Sequence, residues 1–424
     1  MIFDRPLTLS EKKSSQRNYK WFNVINGASY MCLGETILIL LAVKLKCSDS
    51  IVAILGSMQF VGYILLPLGK WMTARSGAAG SQAQFWVYRN IAVLIVAMAI
   101  PVSLWFSKEL AVILLLGGSF LFYGFRAAGV VMSQPLIGEI CDTDTRGRFI
   151  ATCSMLFYLH GFLALVVITG LLKLNSGIGM LFLVIIAGSA LGITSSRFVR
   201  NIHESNRIML SAREPIRNKI VPVLKQQIIR RQIIAGMICY LAYMLTVPTS
   251  MLALKRGYGV SDTHALFFAL AQFGAAAAAG YIQSKLADRF TTRKMLLFDY
   301  YCFLAAALLW VITPNRLFAA YSVLPFLLGS YGCIGIINSL SQYYLETVPK
   351  KLQIVSSMII AVCMGVFSGL LSMMIGSSLL KLSAYCNSSE NPLTTYRLYF
   401  FFLCILLPLI GIFVHRLKQP ASKV

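Results

Sequence analysis

Three ionisable side chains, Glu35, Arg126 and His160, stand near the middle of long apolar runs. A charge at the centre of hydrocarbon costs about 2.5–3.5 kcal/mol on insertion scales, so each needs a partner or a purpose. A carboxyl, a guanidinium and an imidazole at a common depth suit proton coupling. On that reading Glu35 takes up and releases a proton, Arg126 holds either Glu35 or an anionic group of a solute, and His160 tunes or relays the proton. A static Glu35–Arg126 ion pair that fixes helix register is the competing use of the same two residues.

The elements that carry these residues must cross a bilayer. Of 424 residues, 58% are hydrophobic and 12% charged, against about 25% charged in soluble domains; mean hydropathy is +0.73. Apolar runs long enough to span about 30 Å of hydrocarbon recur along the whole chain. They predict twelve transmembrane helices at 21–44, 50–72, 88–106, 110–139, 149–172, 178–199, 233–254, 263–286, 295–312, 317–344, 352–380 and 396–414. A polar leader precedes the first run and no small-residue cleavage site follows it, so that run is expected to remain a helix and not to be removed as a signal peptide.

The net charge of +23 is explained by position. Lys and Arg crowd into the leader, the even-numbered loops (Arg89 is placed in the second of them) and the tail, and are sparse in the odd-numbered loops. The positive-inside rule therefore places both termini in the cytoplasm and agrees with an even number of spans. Anionic lipid headgroups account for the same charges without nucleic acid. The ten Cys are scattered singly, most of them inside apolar runs, as small core residues. There is no G-x-x-x-x-G-K-[ST] phosphate loop, no H-E-x-x-H pair and only four His, so neither ATP-driven transport, a metal centre, a cofactor nor an enzyme is expected.

A basic connection at 200–232, with Pro215 and Pro222, separates six expected spans from six more. The domains are thus a leader (1–20), an N-terminal six-helix bundle (21–199), a linker (200–232), a C-terminal six-helix bundle (233–414) and a tail (415–424). Gly69-Lys70-Trp71-Met72-Thr73-Ala74-Arg75 after span 2 echoes Ser284-Lys285-Leu286-Ala287-Asp288-Arg289 after span 8. Glu139 followed by Arg146-Gly147-Arg148 echoes Glu346 followed by Lys350-Lys351.

The run Lys285-Leu286-Ala287-Asp288-Arg289-Phe290-Thr291-Thr292-Arg293-Lys294 resembles the loop signature of the major facilitator superfamily, G-x-L-A-D-R-x-G-R-R/K, with Ser284 and Thr291 in place of its glycines. In the first half, Thr73 and Ala74 replace the usual Asp and Arg. The resemblance implies an all-helical membrane protein of two pseudo-symmetric six-helix bundles and a solute site at their interface near the midplane. It also implies that helices 1, 4, 7 and 10 line the solute path with 2, 5, 8 and 11 flanking it, which makes Tyr240, Tyr243, Tyr331, Asn338 and Gln342 on lining helices, and Gln59 and Gln272 on flanking ones, candidates for solute contact beside Arg126. Gly69, Arg75, Glu139, Arg146, Asp288, Arg289, Arg293, Lys294 and Glu346 become candidates for a gating loop that ties helix ends together in one state.

The expected function is secondary active transport of a small organic solute, an organic anion by the argument from Arg126, by alternating access and coupled to protons. The expected setting is a monomer in a bacterial inner membrane. A solute sensor or a non-transporting assembly factor of the same fold is the alternative. The exporter pattern R-x-x-Q-G is not matched by Arg126-Ala127-Ala128-Gly129-Val130.

Overall fold

The computed structural model describes the chain except residues 1, 48–50, 52–53, 56–57, 60, 176, 216, 261, 288, 388–390 and 419–424. Its helices are α1 (Leu9–Leu33), α2 (Glu35–Lys44), α3 (Leu66–Trp105, entered through a 3-10 turn at Gly62–Leu65), α4 (Lys108–Val130), α5 (Ser133–Ile140), α6 (Arg146–Leu174) and α7 (Ile178–Arg200). Then follow α8 (Asn206–Arg213), α9 (Arg217–Lys225), α10 (Gln227–Leu252), α11 (Asp262–Leu286), α12 (Thr292–Val311), α13 (Ala319–Thr347), α14 (Gln353–Val362), α15 (Ser368–Cys386) and α16 (Pro392–His415). Two short strands, β1 (Ile2–Phe3) and β2 (Glu204–Ser205), pair in parallel.

Among the described residues, ten stretches are long and apolar enough to cross a membrane. One of them, Gly62–Trp105, reverses at Gly77, whose φ of 75° and ψ of 177° interrupt α3. The Ser81 hydroxyl donates to the Gly69 carbonyl at 3.2 Å across that reversal, a contact that a straight helix would hold about 18 Å apart. With its two limbs counted separately and α11 added, twelve membrane helices result.

The structure corrects several boundaries. The leader expected at 1–20 is mostly the first turns of α1, started by a capping box in which the Thr8 side chain and Glu11 satisfy each other's backbone N–H groups. The linker at 200–232 holds β2, α8 and α9 and the start of α10. Residues 73–87, expected as a loop, are helical on both sides of Gly77. Their polar side chains resembled a loop, yet Ser81 and Gln82 are buried, as are Arg89 and Asn90 just beyond them. A glycine in this backbone region turns the chain without any loop residues, a conformation essentially closed to other residues.

The chain divides into two compact units, one of 1–146, 156–220 and 349–361, the other of 147–155, 221–348 and 362–424. In unit 1, glycines let backbones meet: a Cβ on Gly27 would stand 2.1 Å from the Phe157 carbonyl oxygen, and one on Gly69 2.1 Å from that of Ala128. In unit 2, Trp310 stacks on Phe400 and donates its indole N–H to Ser250, and Tyr300 and Tyr399 donate to the carbonyls of Leu407 and Leu245. Each buried ring thus pins one helix to a neighbour's backbone as well as filling space.

Candidate functional site

Arg126 lies on α4, five residues before the break at Val131–Met132. Its guanidinium donates to the Tyr30 hydroxyl at 3.3 Å and sits 4.7 Å over the same ring. The phenols of Tyr123, on the same helix, and of Tyr63 and Tyr158, from two further segments of unit 1, also stand within electrostatic range. Tyr30 thus offers this cation its ring quadrupole and a hydroxyl lone pair, and the three other phenols surround it, without neutralising it.

A second guanidinium belongs to the same neighbourhood. Arg89 is wholly buried and lies eleven residues past Ala78 on the second limb of α3, about 17 Å along the helix. It is therefore a mid-helix residue and not the loop residue that its polar neighbours suggested. It donates to Asn26 Oδ1 at 3.1 Å and packs against the rings of Trp86 and Phe122 at 4.8 and 5.4 Å. Trp86 donates to the same Asn26 oxygen at 2.9 Å. Arg89 and Arg126 feel each other's charge, and among the described residues neither has a carboxylate partner.

The other expected members are placed as follows. The side chain of Glu35, at the start of α2, lies outside the described residues, so its pairing with Arg126 is not part of the geometry given. His160 Nδ1 lies 2.8 Å from the Leu156 carbonyl of its own helix, an acceptor for a proton carried on that nitrogen. Gln59 and Gln272 are half-buried. Tyr240 and Tyr243 line a small recess of unit 2 with Cys239, Cys333, Ile336 and Ile337. Tyr331 packs edge-on against Phe298. Asn338 accepts from Ser154 at 2.6 Å, and Gln342 donates to Glu346 at 2.9 Å and lies against Gly147. These last two are thus buried contacts with the first turns of α6.

Near the gating-loop candidates Gly69 and Arg75 of unit 1 stands a clasp whose centre, Glu204, was not among those candidates. Glu204 of β2 is buried and accepts the backbone N–H groups of Ala78 and Ala79 at 2.8 and 3.0 Å, the first turn after Gly77. Its carboxyl is pushed up to about 7 because burial outweighs these two hydrogen bonds. Around it, Lys70 donates to the carbonyls of Ala212 and Glu214, both at 2.7 Å, and Arg213 donates to that of Ala74 at 3.1 Å. Gly69 lies against Ala128, and the Arg75 guanidinium sits on the Trp71 ring at 4.0 Å.

Glu139 pairs with Arg207 and accepts from Ser205, whereas the buried Arg146 reaches the Cys141 carbonyl. In unit 2, Thr292 and Gln342 donate to Glu346, and Arg293 donates to the His415 carbonyl at 2.6 Å. Arg289 and Lys294 are exposed, and Asp288 lies outside the described residues.

Unit 2 also holds a buried acid that escaped the sequence reading. Asp299 of α12 is fully buried and accepts from Gln283 Nε2 at 2.7 Å and Ser339 Oγ at 2.9 Å. It lay in plain view inside the span expected at 295–312, and an acid within an apolar run was the signal to follow.

Among curated proteins, none matches the chain. Solved structures similar in fold include the Escherichia coli proton:xylose symporter XylE, at 13% identity and a TM-score of 0.70, with 97% of this chain and 96% of that one covered. A bacterial homologue of the iron transporter ferroportin aligns at 13% identity and TM-score 0.68, covering 97% and 99%. The human organic anion transporter MFSD10 aligns at 12% identity and TM-score 0.68, covering 93% and 99%. The family model of the Major Facilitator Superfamily matches residues 22–373, and with that span matched, the chain belongs to this superfamily of multi-pass secondary transporters.

Proposed function

We propose that the protein is a proton-coupled secondary transporter of a small organic anion, working by alternating access as a monomer in a bacterial inner membrane with both termini cytoplasmic. The observation that carries this reading is the pair Arg89 and Arg126, two intramembrane cations held by neutral partners among the described residues. Two such charges raise the cost of the empty site, and an anion entering between the tyrosines offsets it. Arg126 is the contact residue of the two, because Arg89 is fully covered while Arg126 retains exposed surface. Glu35, in this proposal, carries the coupling proton, and His160 presents Nε2 to it or to water. The distribution of basic residues supports the orientation.

The test is a thermal-shift panel of carboxylates and neutral sugars, followed by flux of any stabilising solute in proteoliposomes with and without a pH gradient. A ligand of the folded state raises its apparent stability. A carboxylate that stabilises the wild type but not Arg126→Ala, and accumulates only with the gradient, is the expected outcome. Stabilisation by neutral sugars and by no carboxylate would reject the anion; equal accumulation without the gradient would reject the coupling.

A further inference from the structure

Asp299 presents an unusual balance of donors and acceptors. Oδ1 receives the Gln283 amide and Oδ2 the Ser339 hydroxyl, and no other hydrogen bond to the carboxyl occurs among the described residues. The site is closed around it. A Cβ on Gly335 would stand 2.1 Å from Asp299 Oδ1 and 2.5 Å from Gln283 Nε2, so α13 presses its bare backbone against the carboxyl and its amide partner.

The ionisable groups that face Asp299 are Cys239 from α10, Cys302 from α12 itself and Tyr331 from α13, all neutral in their ordinary state. α11 contributes the uncharged Gln283, and no cation acts on the carboxyl from these helices or from α16, which packs on α12 through Tyr300 and Leu407. A carboxylate enclosed with only neutral partners is the arrangement in which the proton-bound form competes with the charged one.

The second observation is the orphan beside it. Gln283 is buried, its Oε1 has no hydrogen-bond partner among the described residues, and the Tyr331 hydroxyl lies close to the same amide. An amide carries a donor and an acceptor on opposite arms, so half a turn exchanges them. With the carboxylate, Nε2 donates to Oδ1 as seen. With the protonated acid, the turned amide offers Oε1 to the new O–H, and Nε2 is left to the Tyr331 hydroxyl, whose oxygen can accept it. One side chain therefore serves both protonation states without moving a helix.

We propose that Asp299 is a reversible proton-binding site of unit 2, with the Gln283 amide as the element that accommodates its two states. The proton is taken from water and returned to it; no other bond is made or broken. The binding of this proton stands independently, and only its use in transport rests on the proton-coupled reading above.

The experiment is pH-titrated infrared difference spectroscopy of the full-length protein in lipid nanodiscs, following the C=O band of protonated carboxyl groups. The wild type is expected to show a titrating band that Asp299→Asn lacks, and whose midpoint moves by about one to two pH units in Gln283→Leu, through loss of one charge-assisted hydrogen bond. Ser339→Ala, which keeps the acid, supplies an independent shift should Asp299→Asn fail to fold. A band unchanged by all three substitutions, or one constant at every pH, overturns the proposal. So does stabilisation of the wild type, but not of Asp299→Asn, by sodium over choline, which would make this a metal-cation site. A titrating Asp299 band without gradient-driven flux would leave this site standing and remove the coupled-transport reading alone.

Discussion

Replacing Gly77 by Ala tests the clasp at the reversal of α3 most directly. The backbone there, at φ 75° and ψ 177°, is a region essentially closed to L-residues, and forcing one into it costs on the order of 1–3 kcal/mol. The new Cβ would stand 2.4 Å from Glu204 Oε1 and 2.9 Å from Ile2 Cδ1. The carboxylate must then leave the N–H groups of Ala78 and Ala79, forfeiting a helix cap worth about 0.5–2 kcal/mol. Together these predict a loss of about 1.5–5 kcal/mol, which in a unit of this size lowers Tm by roughly 3–20 °C.

The assay is thermal unfolding of purified Gly77→Ala, Glu204→Ala and the double variant. With Glu204 already shortened, the added methyl meets no carboxylate, so Gly77→Ala should cost only the backbone term and the cycle should show a coupling of about 0.5–2 kcal/mol. A Tm for Gly77→Ala within 2 °C or so of the wild type, or an identical penalty in both backgrounds, would refute the argument.

Glu204 also predicts a pH dependence. Its carboxyl is pushed up from 4.5 to about 7, so the folded state binds the proton more tightly and the stability it contributes is complete below about pH 4.5 and lost as pH rises through about 7. Tm of the wild type measured from pH 5 to 7.5 should fall more steeply than that of Glu204→Gln; parallel slopes would remove this assignment. Tyr30→Phe deletes the hydroxyl that receives Arg126 but keeps the ring, and should weaken anion binding by about 0.5–1.5 kcal/mol, read as a three- to tenfold rise in Kd; an unchanged Kd would separate Tyr30 from the site. Gly27→Leu should abolish a folded, monodisperse product in detergent, because even a Cβ would reach 2.1 Å from the Phe157 carbonyl oxygen; recovery of normal protein would contradict the close approach of α1 and α6.

The spans were legible because hydrocarbon demands long apolar runs whatever the tertiary contacts, and the resemblance in 285–294 named the family without them. Arg126 was legible for the converse reason, as a charge with no polar neighbours. Arg89 was hidden by company: Ser81, Gln82 and Asn90 made its surroundings resemble a loop, and it takes the contacts of Arg89 to Asn26, of Ser81 to the Gly69 carbonyl and of the Asn90 amide to the Trp86 carbonyl to hold such groups inside. Glu204 could not be foreseen from local pattern, since its partners are more than a hundred residues away. Thr73, in place of the family's Asp, was visible as a departure, but not that a carboxylate from the linker would engage the same turn.

That separation also dictates an order of assembly. Ala78 and Glu204 are 126 positions apart, so at a synthesis rate of about 5–20 residues per second the second limb of α3 waits roughly 6–25 s for its cap. Throughout that interval the nascent hairpin has bare amide groups at its tip, and the insertion machinery or the lipid headgroups must solvate them. A ribosome stalled before residue 204 would therefore leave a chain with most of its first unit threaded and its tightest bend still unlocked.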